Sequence, residues 1–319
     1  MDRYTNECID GAKDIIQKQL SKNRIHLFGI RFSEFQKSYF WTNENIKEYF
    51  KLLDLKYKQS ALSVMASGDH TFNLITYGIL NIDTFDTNKL TEYFALGLKK
   101  AMILKYNYQD FINLYTKIST KEIDNNEILE IIFDLLPYMD EKYRLFWKEI
   151  IDYTYKCQCE YDNNINLIYL LYMGIRNELI KNNNYLQDEE SYNLLRNNLG
   201  KANINFKYAN ALNLNREFSS KYDVLLLSNI LDYFYSFLGN NWEYYELQEY
   251  ESRIEQLINN NGVIVLHYIM MFGSSRFTSD KLFDNSGIVK DDLTDEEVYK
   301  VNRKDSNKVY DGIILKRVK

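Results

Sequence analysis

Short apolar runs that alternate with helical stretches constrain the fold of this chain most. "YDVLLLSN" (222–229) and "GVIVLHYI" (262–269) are continuous apolar runs, which are typical of strands that are covered on both faces. Two earlier strands, "ALSVMA" (61–66) and "NIDTFDTN" (81–88), flank a short helix predicted over 69–77. Strands that alternate with helices in this way predict an α/β layer with a mainly parallel sheet.

The rest of the chain divides around this layer. Residues 1–60 have a helical pattern, with a helix predicted to begin at the cap-type residues Thr42 and Asn43. "KLTEYFALGLKKAMIL" predicts a helix after the second strand, and "INFKYA" and "YDGIILKRV" predict further strands. The acidic run "DDLTDEE" (291–297) is interpreted as an exposed loop that leads into a helix. The predicted units are an N-terminal helical cap (1–60), an α/β layer (61–104 and 201–319) and a helical insertion (105–200).

An alternative is two independent domains that divide near residue 105. Residues 62–104 supply only two strands, which cannot form a covered sheet alone, so the interrupted layer is the preferred interpretation.

Charge and composition exclude some classes of function. The net charge of −6 argues against a broad nucleic-acid or anionic-membrane surface, because both need basic patches. The apolar run near Leu167–Ile175 is too short to cross a bilayer. Three cysteines do not make a disulfide framework. We expect a cytoplasmic protein with reduced thiols, no integral membrane segment and no nucleic-acid partner.

Polar or small residues follow four of the predicted strands. Ligands of open α/β sheets bind at the carboxyl ends of the strands, where the strand order reverses. These four strand ends therefore form the candidate site, and none of them matches a Gly-rich phosphate motif. The residues are Ala66, Ser67, Gly68 and Asp69 after the first strand, Asp86 after the second, Asn210 and Ala211 after the third, and Ser228 and Asn229 after the fourth.

An adenosine ligand without a phosphate fits this pattern, and S-adenosylmethionine is the leading candidate. Gly68 would give the ligand access to the backbone, and Asp69 and the turn amides would hold the ammonium and carboxylate. Asp86 would accept hydrogen bonds from the ribose hydroxyls, and Asn210 would pair with the adenine.

Each of these residues also has a purely structural interpretation. Gly68 is also an ordinary turn glycine, and Asp86 is also a cap for the next helix. Asn210, Ser228 and Asn229 are also turn formers. The acid and base candidates carry the same ambiguity, because a histidine on a strand is often a core residue and Tyr233 can wall a site by stacking. Those candidates are Asp69, Asp232, Tyr233 and His267.

Three stretches carry a resemblance to a known family. They are "SVMASGDHTFNLITYGILNIDTFDTN", "FALGLKKAMILKYNYQDFINLY" and "YDVLLLSNILDY". They resemble the S-x-G-[DC]-N turn, the D-x-N strand end, the L-x-Y-x-D-F segment and the S-N-[IV]-x-[ED]-[YM] strand end of the S-adenosylmethionine:diacylglycerol 3-amino-3-carboxypropyltransferases of betaine-lipid synthesis and their bacterial relatives. Asn88 matches the last residue of D-x-N, and His70 stands where the family has Asn.

The resemblance implies a Rossmann-like class I S-adenosylmethionine-dependent methyltransferase fold with N-terminal helices and a helical insertion. It implies that S-adenosylmethionine is the cofactor and that the 3-amino-3-carboxypropyl group moves to a small-molecule or lipid acceptor. Methyl transfer from the same cofactor is the first alternative. A non-catalytic binding or scaffold protein that keeps the fold is the second, and a nucleic-acid-modifying role is the third.

Overall fold

The computed structural model describes residues 1–20, 34–120, 122–161, 171–172, 182–231, 244–272, 296–302 and 310–318. The strands are β1 (Ser38–Tyr39), β2 (Ser60–Val64), β3 (Asn81–Asp86), β4 (Leu171–Tyr172), β5 (Asn203–Tyr208), β6 (Tyr222–Leu226), β7 (Ile258–Phe272), β8 (Glu296–Asn302) and β9 (Tyr310–Arg317). The helices are α1 (Arg3–Leu20), α2 (Ile46–Phe50), α3 (Asp69–Thr76), α4 (Leu90–Glu92), α5 (Lys100–Lys105), α6 (Tyr108–Thr120), α7 (Asn125–Leu135), α8 (Glu141–Tyr161), α9 (Glu189–Leu199), α10 (Leu214–Glu217) and α11 (Tyr244–Glu255).

Seven of the described strands form one sheet, in the order β5-β3-β2-β6-β7-β9-β8. Only β9 runs against its neighbours, so six strands share one direction. The chain builds outward from β2 through β3 to β5, and then returns to the other side of β2 with β6. The strand order therefore reverses between β2 and β6, and this is the switch point at which an α/β sheet binds ligands. The predicted α/β class is confirmed, and the architecture is compatible with a Rossmann-like fold.

Both faces of the sheet are covered, which explains the continuous apolar runs. Along β6, Val224 belongs to one hydrophobic cluster and Leu225 to the other. Along β7, Val263 and Ile264 divide between the same two clusters. Because successive side chains of a strand point to opposite faces, an apolar residue is needed at every position.

Helix α3 ends as the sequence predicts. The amide of Gly78 donates to the Ile75 carbonyl (3.0 Å), and the amide of Ile79 donates to the Leu74 carbonyl (3.1 Å). This pair of hydrogen bonds is a Schellman motif, which needs the left-handed backbone that Gly78 adopts at φ 86°. The helix predicted over 69–77 is confirmed as Asp69–Thr76.

Three local predictions are corrected. Helix α2 begins at Ile46 rather than at Thr42, because the Thr42 hydroxyl accepts from the Glu44 amide and holds a turn there. The stretch after β3 contains a π-helical segment, Tyr93–Lys99, between α4 and α5. The acidic run at 291–297 does not lead into a helix, since its last two residues begin β8, which pairs with β9 at the sheet edge.

The N-terminal residues, the sheet and the helical block share a hydrophobic cluster. Its members include Ile16 of α1, Ala61 of β2 and Trp147 of α8. The division into cap, α/β layer and insertion remains a prediction, and the shared cluster ties these three parts together.

Candidate functional site

The turn after β2 has an unusual backbone at two positions. Ala66 adopts φ 42° and Gly68 adopts φ 79°. A Cβ atom added to Gly68 would lie 2.9 Å from the Cβ of Ala95 and 3.0 Å from Cε2 of Phe72. Glycine is therefore required here both by the left-handed backbone and by the close packing of the π-helical segment.

Asp69 follows this turn and is fully buried. Its Oδ1 accepts from the Tyr185 hydroxyl (2.6 Å) and from Nζ of Lys99. Its Oδ2 accepts from the Thr42 amide (2.6 Å) and from Oγ of Ser67 (2.8 Å). A carboxylate has about four lone-pair positions, so in this conformation Asp69 has no acceptor site left for the ammonium of a ligand.

Lys99, the last residue of the π-helical segment, was not expected in the site. Its ammonium donates to the carbonyls of Phe40 (2.7 Å) and Ser67 (3.2 Å) and to Asp69. Burial lowers the pKa of Lys99, and the charge of Asp69 opposes this shift. The protein thus supplies its own ammonium at the position predicted for that of the ligand.

Asp86 lies at the carboxyl end of β3, beside the same turn. Its Oδ2 accepts from the Ala66 amide and its Oδ1 from the Asn88 amide, both at 2.9 Å. Burial raises the pKa of Asp86 to about 6, against the lowering effect of the amides of Asn88, Ala66 and Thr87. The residue as a whole is partly exposed. Each carboxylate oxygen accepts one of these two hydrogen bonds, so the group orients the two loops and keeps further lone pairs.

Asn88 ties another segment to this strand end. Its Oδ1 accepts from the Gln36 amide (3.1 Å), and its Nδ2 donates to the Gln36 carbonyl (3.2 Å). Its Oδ1 also accepts from the Leu90 amide at the start of α4 (3.1 Å). Asn88 is therefore a connector between β3, α4 and the chain before β2.

At the end of β5, Asn210 has the structural role of a turn former, which was the alternative to binding a ligand. Asn210 is the N-cap of a short 3₁₀ helix (Ala211–Asn213), and its side chain accepts from the Leu212 amide at 3.0 Å. The Asn210 side chain is exposed, and Ala211 is buried in the core.

Ser228, two residues after β6, adopts φ 57°. Its carbonyl accepts from the Tyr268 amide (2.9 Å), and its hydroxyl donates to Oε1 of Glu44. Oδ1 of Asn229 lies 3.3 Å from the same hydroxyl. Ser228 is thus buried against the segment before α2, and Asn229 is partly exposed.

Glu44 and His70 are site residues that the sequence did not reveal. Oε2 of Glu44 lies 2.9 Å from Nε2 of His70, and both side chains are buried. Glu44 therefore bridges His70, after β2, and Ser228, after β6. The one signal was that His70 departs from the family pattern, and Glu44 carried none.

The three predicted acid and base candidates on later strands are less informative. His267 of β7 is fully buried, opposite Ile314 of β9, so in this conformation it is closed to a ligand. Asp232 and Tyr233 lie outside the described residues.

The remaining features of the described residues add little to the site. A cavity of about 30 Å³ lies beside Phe40, Phe94 and Trp147 and is lined by apolar side chains. No group of three or more His, Cys, Asp or Glu side chains in the described ranges is arranged to hold a metal ion. None of the described helices is long and apolar enough to cross a membrane.

In comparisons with known proteins, no family model and no curated protein matches this chain.

Proposed function

We propose that this protein is an S-adenosylmethionine-dependent transferase that moves the 3-amino-3-carboxypropyl group to a small-molecule or lipid acceptor. The observation that carries the proposal is the position of Asp86 at the carboxyl end of β3, beside the turn after β2. The carboxyl group of Asp86 is fixed by the amides of Ala66 and Asn88 at the strand end next to the switch point, and each of its oxygens keeps a further lone pair. A carboxylate at this place is suited to the two hydroxyls of a ribose.

The strand order supports the finer fold assignment. A doubly wound sheet that reverses between its first and fourth main strands binds nucleoside ligands at that reversal. The antiparallel β9, placed between β7 and β8, distinguishes this sheet from an entirely parallel dinucleotide-binding sheet and is the arrangement expected of a class I methyltransferase-like fold.

The chemistry is an in-line displacement at a sulfonium. The acceptor lone pair forms a bond to the carbon γ to the carboxylate, the carbon–sulfur bond breaks, and the electron pair leaves with methylthioadenosine. The sulfonium is already a good leaving group, so the protein contributes mainly by holding the acceptor in line with one carbon. In methyl transfer, the same displacement at the methyl carbon releases S-adenosylhomocysteine.

Binding of S-adenosylmethionine tests the proposal. Calorimetry should detect binding by the wild type, and Asp86→Asn should weaken it about 10- to 100-fold, because hydrogen bonds to a charged group are lost. Asp83→Asn is the matched control, since Asp83 lies on the same strand but bonds to Tyr222 and Asn205. Absence of binding both by the folded wild type and by a folded Glu44→Gln variant, which loses the bond between Glu44 and Ser228, would overturn the proposal.

Product mass distinguishes the two chemistries. Incubation with a candidate acceptor should yield methylthioadenosine, and S-adenosylhomocysteine would instead indicate methyl transfer. Formation of neither product with bound cofactor would favour the non-catalytic alternative.

The second candidate is a non-catalytic protein that binds only the adenosine part. The ion pair between Lys99 and Asp69 favours it, because the two groups bond to each other and to the Phe40 carbonyl and the Thr42 amide and have no position left for an amino-acid part. Methylthioadenosine would then bind as tightly as S-adenosylmethionine. A transferase should bind S-adenosylmethionine more tightly, since the amino-acid part adds charged contacts.

A further inference from the structure

Residues 36–45, here named the cover segment, run across the carboxyl edge of the sheet. The segment contacts Asn88 after β3 at one end and Tyr268 of β7 at the other. Between these ends it contacts Asp69 after β2 and Ser228 after β6. It therefore crosses the switch point, over the place where the proposed ligand would lie.

The backbone of the cover segment makes the contacts at the centre of this edge. The Phe40 carbonyl accepts from Lys99 (2.7 Å), and the Thr42 amide donates to Asp69 (2.6 Å). An acceptor thus faces the buried ammonium, and a donor faces the buried carboxylate. The carboxylate and ammonium of an α-amino acid have this same pairing of acceptor and donor.

Glu44 holds the segment in place. Its carboxylate joins Ser228 on one side of the switch point to His70 on the other. The side chain is buried, so both contacts lie away from solvent. Breaking them therefore removes a charged connection between the cover segment and the two strand ends.

Several buried polar atoms around the cover segment make no hydrogen bond with a described residue. Two belong to the segment itself, Oγ of Ser38 and Nε1 of Trp41. The others are Nδ1 of His70, whose ring bonds to Glu44, and the hydroxyl of Tyr115, whose ring contacts Trp41. Buried polar groups normally have partners, and leaving them unpaired is unfavourable. The closed arrangement therefore leaves donors and acceptors that an open or ligand-bound arrangement can satisfy.

We propose that the cover segment competes with the amino-acid part of the ligand for Lys99 and Asp69. When the segment moves away, Asp69 regains one acceptor position and Lys99 one donor. A ligand ammonium and carboxylate then take the places of the Thr42 amide and the Phe40 carbonyl. This inference rests on the proposed function and names its regulation: the cofactor binds only when the cover segment opens.

Hydrogen exchange of the intact chain, followed by mass spectrometry, tests the opening. Glu44→Gln should speed exchange of the peptide over 36–45 about tenfold or more, because it removes a charged contact on each side. Peptides from β3 and β6 should be unchanged. Glu48→Gln is the matched control, because Glu48 is a partly exposed residue of α2 whose side chain pairs with Lys51. Ser228→Ala provides a second variant with the same expectation.

Equal acceleration over the cover segment and the sheet in both variants would show global destabilisation and overturn the proposal. No acceleration over the cover segment would also overturn it.

Two probe ligands complete the test. S-adenosylhomocysteine, which carries the amino-acid part, should speed exchange at 36–45, and it should bind Glu44→Gln more tightly than the wild type. Methylthioadenosine, which lacks that part, should leave this exchange unchanged. If S-adenosylhomocysteine binds without changing exchange there, the competition is wrong while the proposed function stands. If it binds neither the wild type nor an open Glu44→Gln variant, both are wrong.

Discussion

The buried ion pair between Lys99 and Asp69 connects several elements of the fold. Each is less than 2% exposed, and together they join α3, the π-helical segment, the cover segment and Tyr185 of the helical block. A buried charge without its partner is strongly unfavourable, so the two residues stabilise the fold only as a pair.

Removing one partner should therefore be costly. Lys99→Met should lower the free energy of unfolding by about 3–5 kcal/mol, because Asp69 is left as an uncompensated buried charge. The double variant with Asp69→Asn should lose less than the sum of the two single changes. Lys100→Met, which breaks only a surface pair with Asp140, should cost about 1 kcal/mol or less. Urea denaturation of the wild type, the two single variants, the double variant and Lys100→Met measures these changes. If the losses of the two single variants add up to that of the double variant, the pairing is contradicted.

The raised pKa of Asp86 predicts a pH dependence of stability. The folded-state pKa of about 6 exceeds the ordinary 3.8, so the folded state holds the proton more tightly. The stabilisation from this group is present below pH 4 and is lost as the pH rises to 6, to a total of about 3 kcal/mol. Comparing the wild type with Asp86→Asn by urea denaturation at several pH values checks this. As the pH rises from 4 to 6, the free energy of unfolding should fall more in the wild type than in Asp86→Asn. An equal pH dependence of the two proteins would contradict the raised pKa of Asp86.

At the residue scale, the position of Asp86 at the end of a β-strand was predictable, because an acid that follows an apolar strand pattern has a local signature. The burial of Lys99 was not predicted, because Lys99 and Lys100 are adjacent lysines and such pairs are usually exposed to solvent. Burial of Lys99 depends on Asp69 and Phe40, and contacts at that separation leave no pattern near Lys99 itself.

Among the elements, the turn after β2 and the end of α3 each rely on a glycine. Gly68 and Gly78 both have a left-handed backbone, but their surroundings differ. Gly68 is packed against Ala95 and Phe72, and no atom lies within 4 Å of a Cβ added to Gly78.

Because their surroundings differ, we expect substitution of Gly68 and of Gly78 by alanine to destabilise the protein by different amounts. Gly78→Ala should lower the free energy of unfolding by about 1–2 kcal/mol, from backbone strain alone. Gly68→Ala should cost a further 1–3 kcal/mol or so, because the added methyl also overpacks the turn. Gly200→Ala, at the αR C-cap of α9 with open space around it, is the control and should change little. Thermal denaturation measures the three, and equal effects at Gly68 and Gly78 would contradict the packing argument.

The elements themselves were predictable where their signals are local. Continuous apolar runs identified β6 and β7, and Gly78 identified the end of α3. The π-helical segment was not predictable, because its apolar face matches that of an ordinary helix. Strand β8 was also missed, since at a sheet edge its charged residues gave no apolar run.

At the scale of the whole molecule, α1, the sheet and the helical block share one hydrophobic cluster. Tyr185 extends this connection, because its hydroxyl reaches Asp69 at the centre of the site. We therefore expect these parts to unfold together.

Urea denaturation followed by two probes tests this expectation. Tryptophan fluorescence reports on the three tryptophans of the chain, of which Trp41 and Trp147 are buried in the shared cluster. Far-ultraviolet circular dichroism reports on all helices and strands. The two transitions should coincide. Separate transitions would indicate that the helical block is an independent domain.

The sequence allowed the α/β class to be predicted because strand and helix signals are short in range. The cover segment could not be predicted, since Glu44 and Ser228 are 184 residues apart and nothing near Glu44 indicates its partner. The same sequence separation explains why the site was expected to be open to a ligand. Strand ends can be predicted from local sequence, but a distant segment that crosses them cannot.

The place of β2 in the sheet has a consequence for synthesis of the chain on the ribosome. Its partners β3 and β6 lie on opposite sides, but β6 begins roughly 160 residues after β2 ends. At about 5–20 residues per second, the nascent protein carries an unpaired apolar strand edge for roughly 10–30 s. Such an edge can pair with another chain during that interval. Slow elongation between residues 65 and 222 therefore favours aggregation, and a chaperone that binds the edge of β2 would favour correct folding.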